Sequence, residues 1–136
     1  MTPAEREQEL IESFSIIPDL HERMSAIVAS CTGPGIGESE RREEYLVPGC
    51  ISRVWIAASV QEGLLHLRWD ADSPLVKGLA GLVCRVYEGT APAAAAEHAA
   101  EVLSGLKLDR QLSPTRLNGL NNAGQLIRRL ASALCP

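Results

Sequence analysis

Cys50 follows Pro48-Gly49 and precedes Ile51-Ser52-Arg53-Val54-Trp55. A Pro-Gly pair reverses a chain tightly, so the thiol is predicted at or beside the tip of a turn. A thiol so placed is held by backbone geometry, can be reached by a partner, and becomes a nucleophile to the extent that it ionises. Arg53, a little further along the chain, offers positive charge to a thiolate. The competing reading is that Cys50 is a small buried hydrophobe, the commoner fate of a free cysteine.

The remaining chemistry-bearing residues suggest less. Of the four cysteines, at 31, 50, 84 and 135, none forms a C-x-x-C pair or a short Cys/His spacing, which argues against a structural zinc site. Cys31 and Cys84 fall on apolar helical faces and Cys135 falls in the final residues. An iron-sulfur scaffold is one alternative, but it needs several cysteine ligands converging on one site. A thiol enzyme with Cys50 as nucleophile is another, and it needs an oriented base. Of His21, His66 and His98, only His66 lies on the strands expected around the turn. The run Thr32-Gly33-Pro34-Gly35-Ile36-Gly37 lacks the Gly-Lys-Ser/Thr ending of a phosphate loop and reads as a connection.

The elements that must position Cys50 follow from pattern. Thr2, Pro3 and Glu5 read as a capping box opening a helix with Leu10, Ile11 and Phe14, which Pro18 ends. Asp19 and Glu22 open a second helix carrying Leu20, Met24, Ile27, Val28 and Cys31. The mixed-sign run Glu38–Glu44 reads as a solvated face leading to a first strand at 45–47. Strands at 53–60 and 64–69 alternate, the first with Val54, Ile56, Ala58 and Val60 on one face against Trp55, Ala57 and Ser59, the second with Leu65, Leu67 and Trp69 on one face against Leu64, His66 and Arg68, and one face needs a cover. Residues 45–70 therefore read as a three-stranded antiparallel meander. Asp72-Ser73-Pro74 caps a covering helix with Leu75, Leu79, Leu82, Val83 and Val86, closed by Gly89. Thr90 and Pro92 open an alanine-rich helix over 93–103, and Ser113-Pro114 opens a last one with Leu117, Leu120, Ile127, Leu130 and Leu134. The fold class is α+β, helices packed on one sheet.

Composition bounds the partners. The 136 residues suit one domain over 1–136, with 46% hydrophobic and 22% charged residues, an ordinary balance for a globular chain. A net charge of −4 argues against a nucleic-acid surface. No apolar run is long enough to span a membrane, and the acidic N-terminus lacks the plan of a signal peptide, so a cytoplasmic setting with reduced thiols is expected.

Three blocks carry a more specific likeness: Gly49-Cys50-Ile51-Ser52-Arg53-Val54-Trp55, then Asp70-Ala71-Asp72-Ser73-Pro74-Leu75-Val76-Lys77-Gly78-Leu79, then Leu112-Ser113-Pro114-Thr115-Arg116-Leu117-Asn118-Gly119-Leu120. In order and separation they resemble the SufE family of cysteine-desulfuration proteins, over nearly the whole chain. The resemblance implies a SufE/IscU-like fold and a sulfur carrier for iron-sulfur cluster assembly. Cys50 would take persulfide sulfur from a pyridoxal-phosphate cysteine desulfurase, stimulate that enzyme, and pass the sulfur to a scaffold complex. The pyridoxal phosphate belongs to the desulfurase, so no cofactor is expected on this chain. It further implies supporting or partner-contact roles for Arg116 and Asp72, whose family counterparts lie near the reactive turn; Arg53 and His66 are weaker candidates. Asp72 also reads as a simple helix cap and Arg116 as a surface residue. Self-association as a homodimer is left open. Ile51 stands where the family usually carries glutamine, so any polar contact of that side chain is absent.

Overall fold

The computed structural model describes every residue except Thr32, Pro34, Cys50 and Ile51. The N-terminal capping box forms as the sequence predicts: Thr2 Oγ1 accepts from Glu5 N at 3.1 Å and Glu5 Oε1 accepts from Thr2 N at 3.0 Å. These bonds, the backbone one foremost, hold the exposed Glu5 carboxyl below its usual range. The box opens α1 (Pro3–Ser15). Asp19 then caps α2 (Leu20–Ser30), accepting from Glu22 N at 2.9 Å.

Strands β1 (Val54–Gln61) and β2 (Leu64–Ala71) pair antiparallel, from Val54 opposite Ala71 to Gln61 opposite Leu64. Val54, Ile56, Leu65, Leu67 and Trp69 share the inner, buried face as their alternation predicts. Helix α3 (Pro74–Tyr87) lies against that face, also packing on α1, α2 and α6 (Pro114–Ala133). It meets α2 almost backbone to backbone. A Cβ on Gly81 would stand 2.0 Å from the Cys31 carbonyl oxygen, and one on Gly78 2.7 Å from Val28 Cα.

The expected third strand is not formed. Among the described residues the sheet has two strands, and the first segment of the meander makes a single antiparallel bridge, Leu46 to Trp55, with Val47 N bonded to Val54 O at 2.8 Å. Pairing is cut short on both sides. Residues Glu43–Tyr45 are wound into a 3-10 turn, and Pro48 has no N–H with which to extend a ladder.

The outer sheet face is covered as well. Ile36, Tyr45 and Leu46 pack with Trp55 and Ala57 into a second, smaller apolar cluster. Over it, Glu40 pairs with Arg68 and Arg41 with Asp70. The charged run is thus in part a strap clasped to the sheet, not only a solvated face.

The alanine-rich segment is two short helices, α4 (Pro92–Glu97) and α5 (Val102–Gly105). Buried polar groups claim the backbone between them. The Tyr87 hydroxyl donates to His98 O at 2.7 Å and accepts from Ala100 N at 3.1 Å, while Glu7 Oε2 accepts from Glu101 N at 2.6 Å. These tertiary bonds override alanine's helix propensity.

Candidate functional site

The hydrogen bond between Val47 and Val54 closes the base of the segment 48–53, so the chain leaves the sheet region and returns to it within one strand spacing. Cys50 and Ile51 lie in this segment and outside the described residues. The frame that holds its two ends is described fully.

On the incoming side, Gly49 adopts φ +78°, a left-handed conformation that favours glycine. The Pro48 carbonyl accepts from Asn122 Nδ2 of α6 at 2.8 Å. On the outgoing side, Arg53 Nε donates to Asp72 Oδ2 at 3.0 Å, and Asp72 N donates to Arg53 O at 3.0 Å. Asp72 is therefore not the helix cap. Ser73 fills that position, accepting from Val76 N at 3.5 Å, and leaves the Asp72 carboxylate to the arginine.

Behind Arg53 lies the nearly buried Trp55 ring, with the guanidinium carbon of Arg53 at 5.3 Å and that of Arg41 at 4.9 Å from its centroid. Such stacking of a cation on an aromatic face is favourable in itself and fixes where the charge sits. Asp70 joins the group, pairing with Arg41 and with Lys77 Nζ at 3.5 Å. The outgoing side thus gathers three cations, Arg41, Arg53 and Lys77, and two carboxylates, Asp70 and Asp72, with the charge of Arg53 offset by its partner.

The other expected site residues are less closely gathered. Arg116 stands in the first turn of α6, its backbone N donating to the Ser113 cap at 3.3 Å, and its exposed side chain has no partner among the described residues. It precedes Asn122 on the same helix by about 9 Å of axial rise. His66 is far from Arg53 and Asp72. It sits opposite Ser59, bonded through Nδ1 to Glu88 Oε2 at 2.7 Å, six strand residues or about 20 Å from Asp72.

The described cysteines are free thiols. Cys31 and Cys84 are fully buried, the former 3.4 Å from Arg85 Nη1. Burial, aided by the Glu88 carboxylate, pushes the Cys84 thiol well above its usual range, which suppresses its thiolate at neutral pH. Among the described residues no three His, Cys, Asp or Glu side chains are grouped to hold a metal, and no helix is long and apolar enough to cross a membrane. A separate cleft of about 270 Å³ opens between α3, α6 and the residues before α5, lined in part by Tyr87, Gln125 and Arg128.

Asn122 is the residue that sequence reading missed. Its signal was faint: Asn121 and Asn122 sit inside a helix, where asparagine is a poor former.

An α+β scaffold that braces a cysteine-bearing segment between a helix side chain and an Arg–Asp pair defines a class, and comparison with known proteins gives its family. The family model described as "SufE: Fe-S metabolism associated domain" matches residues 8–131. An uncharacterized SufE-like protein of Rhizobium etli is 30% identical over 129 residues, which is 90% of this chain and 87% of that one. An uncharacterized SufE-like protein of Synechocystis sp. is 32% identical over 87 residues, 64% of this chain and 55% of its own length. Among solved structures, the solution structure of a hypothetical protein from Thermus thermophilus matches with a TM-score of 0.80 over 98% of both chains at 24% identity, which bears on the fold. The chain belongs to the SufE family, and so to the proteins of Fe-S metabolism.

Proposed function

We propose that this protein accepts sulfur on Cys50 from the persulfide of a pyridoxal-phosphate cysteine desulfurase and carries it to an iron-sulfur cluster scaffold. The observation that carries the reading is that, in a chain of this family, both ends of the segment bearing Cys50 are held: closed at Val47–Val54, with Pro48 bonded by Asn122 and Arg53 paired with Asp72.

The reaction is a displacement at sulfur. The Cys50 thiolate attacks the outer sulfur of the desulfurase persulfide, a new S–S bond forms as the old one breaks, and the desulfurase cysteine leaves as thiolate. The hydrosulfide proton travels with the transferred sulfur, and no net oxidation or reduction occurs. Removal of the persulfide frees the desulfurase for another cycle, which is how stimulation arises. Arg53, its charge offset by Asp72, stands beside the segment, and Arg116 on α6 offers a cation with no partner among the described residues for contact with the desulfurase. The cofactor in this scheme belongs to the desulfurase, and the setting is the reducing cytoplasm.

The test is incubation with a cysteine desulfurase and free cysteine, followed by mass spectrometry of the Cys50 peptide. A gain of one sulfur atom at Cys50, with faster desulfurase turnover that Cys50→Ser abolishes, is expected. An unmodified Cys50 beside a labelled Cys31, Cys84 or Cys135 overturns the reading.

A further inference from the structure

We propose that the cleft between α3, α6 and residues 99–103 is a binding site for a small organic monocarboxylate with an apolar body, its carboxylate met by Arg128. The cleft lies on a face of α6 other than the one that carries Asn122, and the inference stands apart from the role of Cys50.

Arg128 is the group that points to an anion. It is half-buried, and its Nε donates to the Ala96 carbonyl at 3.1 Å, which fixes the plane of the guanidinium. Neither terminal nitrogen has a hydrogen-bond or ion-pair partner among the described residues, in a chain with 17 Asp and Glu against 13 Lys and Arg. A cation drawn partly out of water without a counter-ion is unfavourable, and its free N–H donors match the two oxygens of a carboxylate. The charge is felt at the wall of the cleft: burial pushes the Tyr87 phenol up, and Arg128 is among the groups that draw it the other way. A neighbouring hollow shares Gln125 and Arg128 and adds Arg129, whereas Glu101 and Asp109 border a hollow at the other end that shares Asn121 and Leu103. Negative charge is therefore welcome at one end only, which selects a single carboxylate over a dianion.

The body of the cleft is apolar, lined by Val83, Val102, Leu103 and Leu120, and Gly124 of α6 opens onto it. Glycine weakens a helix interior. In α3 a close neighbour accounts for it, since the backbone at Val28 and Cys31 leaves no room for a side chain at Gly78 or Gly81. At Gly124 an added Cβ would meet nothing nearer than Val83 Cγ1, at an ordinary 3.8 Å. Packing does not require that glycine, but the width of the cleft does. At about 270 Å³ the cleft falls just under the range of drug-sized ligand sites, which suits a molecule of about ten non-hydrogen atoms. A ligand of that size binds with a dissociation constant on the order of 0.1–10 mM.

The experiment titrates the isotope-labelled chain with phenylacetate, a monocarboxylate of that size, and follows backbone amide and arginine side-chain shifts by NMR. Phenylacetamide, its neutral isostere, and inorganic phosphate, an anion with no apolar body, are the controls. Phenylacetate should move the Arg128 Nε–H and the amides of Ala99, Ala100 and Gln125, saturating in the millimolar range. Both controls, and phenylacetate with Arg128→Gln, should bind about tenfold more weakly or not at all. Gly124→Ala should raise the thermal unfolding midpoint by about 2–5 °C, alanine being the better helix former, and yet weaken phenylacetate about fivefold or more by crowding the cleft. It leaves Arg128 untouched, so it carries the test if Arg128→Gln folds poorly, and a merely structural role would not pair a gain in stability with a loss of binding. No shifts at the cleft through the millimolar range, shifts confined to exposed arginines such as Arg116 and Arg129, phenylacetamide binding as tightly as phenylacetate, or wild-type affinity in either variant overturns the proposal.

Discussion

Arg53 and Asp72 were each legible as candidates, but their union was not, because a sequence does not show that Ser73 rather than Asp72 caps α3. Their side chains are 65% and 42% exposed, so the pair stabilises the fold by no more than about 1 kcal/mol. Asp72→Asn is therefore expected to leave thermal unfolding almost unmoved. Its effect should appear in the thiol instead: with the charge of Arg53 no longer offset, the pH midpoint for Cys50 alkylation should fall. An unchanged midpoint in a folded Asp72→Asn protein removes Arg53 from the account of thiol ionisation. His66 shows the opposite case, a residue placed on the right hairpin by its period of two yet set by register near the far end.

At the scale of elements, the helices were largely readable because caps and apolar periods are local signals, and Thr2, Asp19, Ser73 and Ser113 each cap as their types suggest. What failed to show were the elements decided by distant groups. The break between α4 and α5 depends on Glu7, far away in sequence, and on Tyr87 at the end of another helix, whereas the single bridge in place of a third strand is a local contest won by the 3-10 turn at Glu43–Tyr45. Tyr87→Phe should leave Ala100 N and His98 O without their partner, costing about 1–3 kcal/mol in denaturant unfolding and speeding hydrogen exchange at Ala100. Gly81→Ala should destabilise by about 1–3 kcal/mol or more, since its methyl meets backbone that cannot swing away, the Cys31 carbonyl 2.0 Å off. Equal stability of Gly81→Ala and wild type would mean that α2 and α3 do not approach as closely as the structure has them.

For the whole molecule, the buried Tyr87 phenol sets an alkaline limit. Burial, the largest influence, pushes its pKa up to about 12 from an ordinary 10.0. The folded state therefore holds this proton where the unfolded chain has released it. Stability from this group is complete below about pH 10 and declines as pH rises toward about 12, by an amount on the order of 2–3 kcal/mol. Tyr87→Phe should lack that decline, and unfolding midpoints taken through this range for both proteins measure it. A wild-type curve parallel to that of Tyr87→Phe would show the phenol to be less isolated from water than its position implies.

The two tryptophans stand on opposite faces of the hairpin, Trp69 among the core side chains and Trp55 beneath the guanidinium groups of Arg41 and Arg53. The chain thereby carries two intrinsic fluorophores with different duties. Emission from Trp55 registers any lifting of residues 36–46 or repacking beside the thiol, whereas emission from Trp69 stays constant until the interior itself gives way. Trp69→Phe would leave a protein whose remaining indole reports partner docking in real time, without a label.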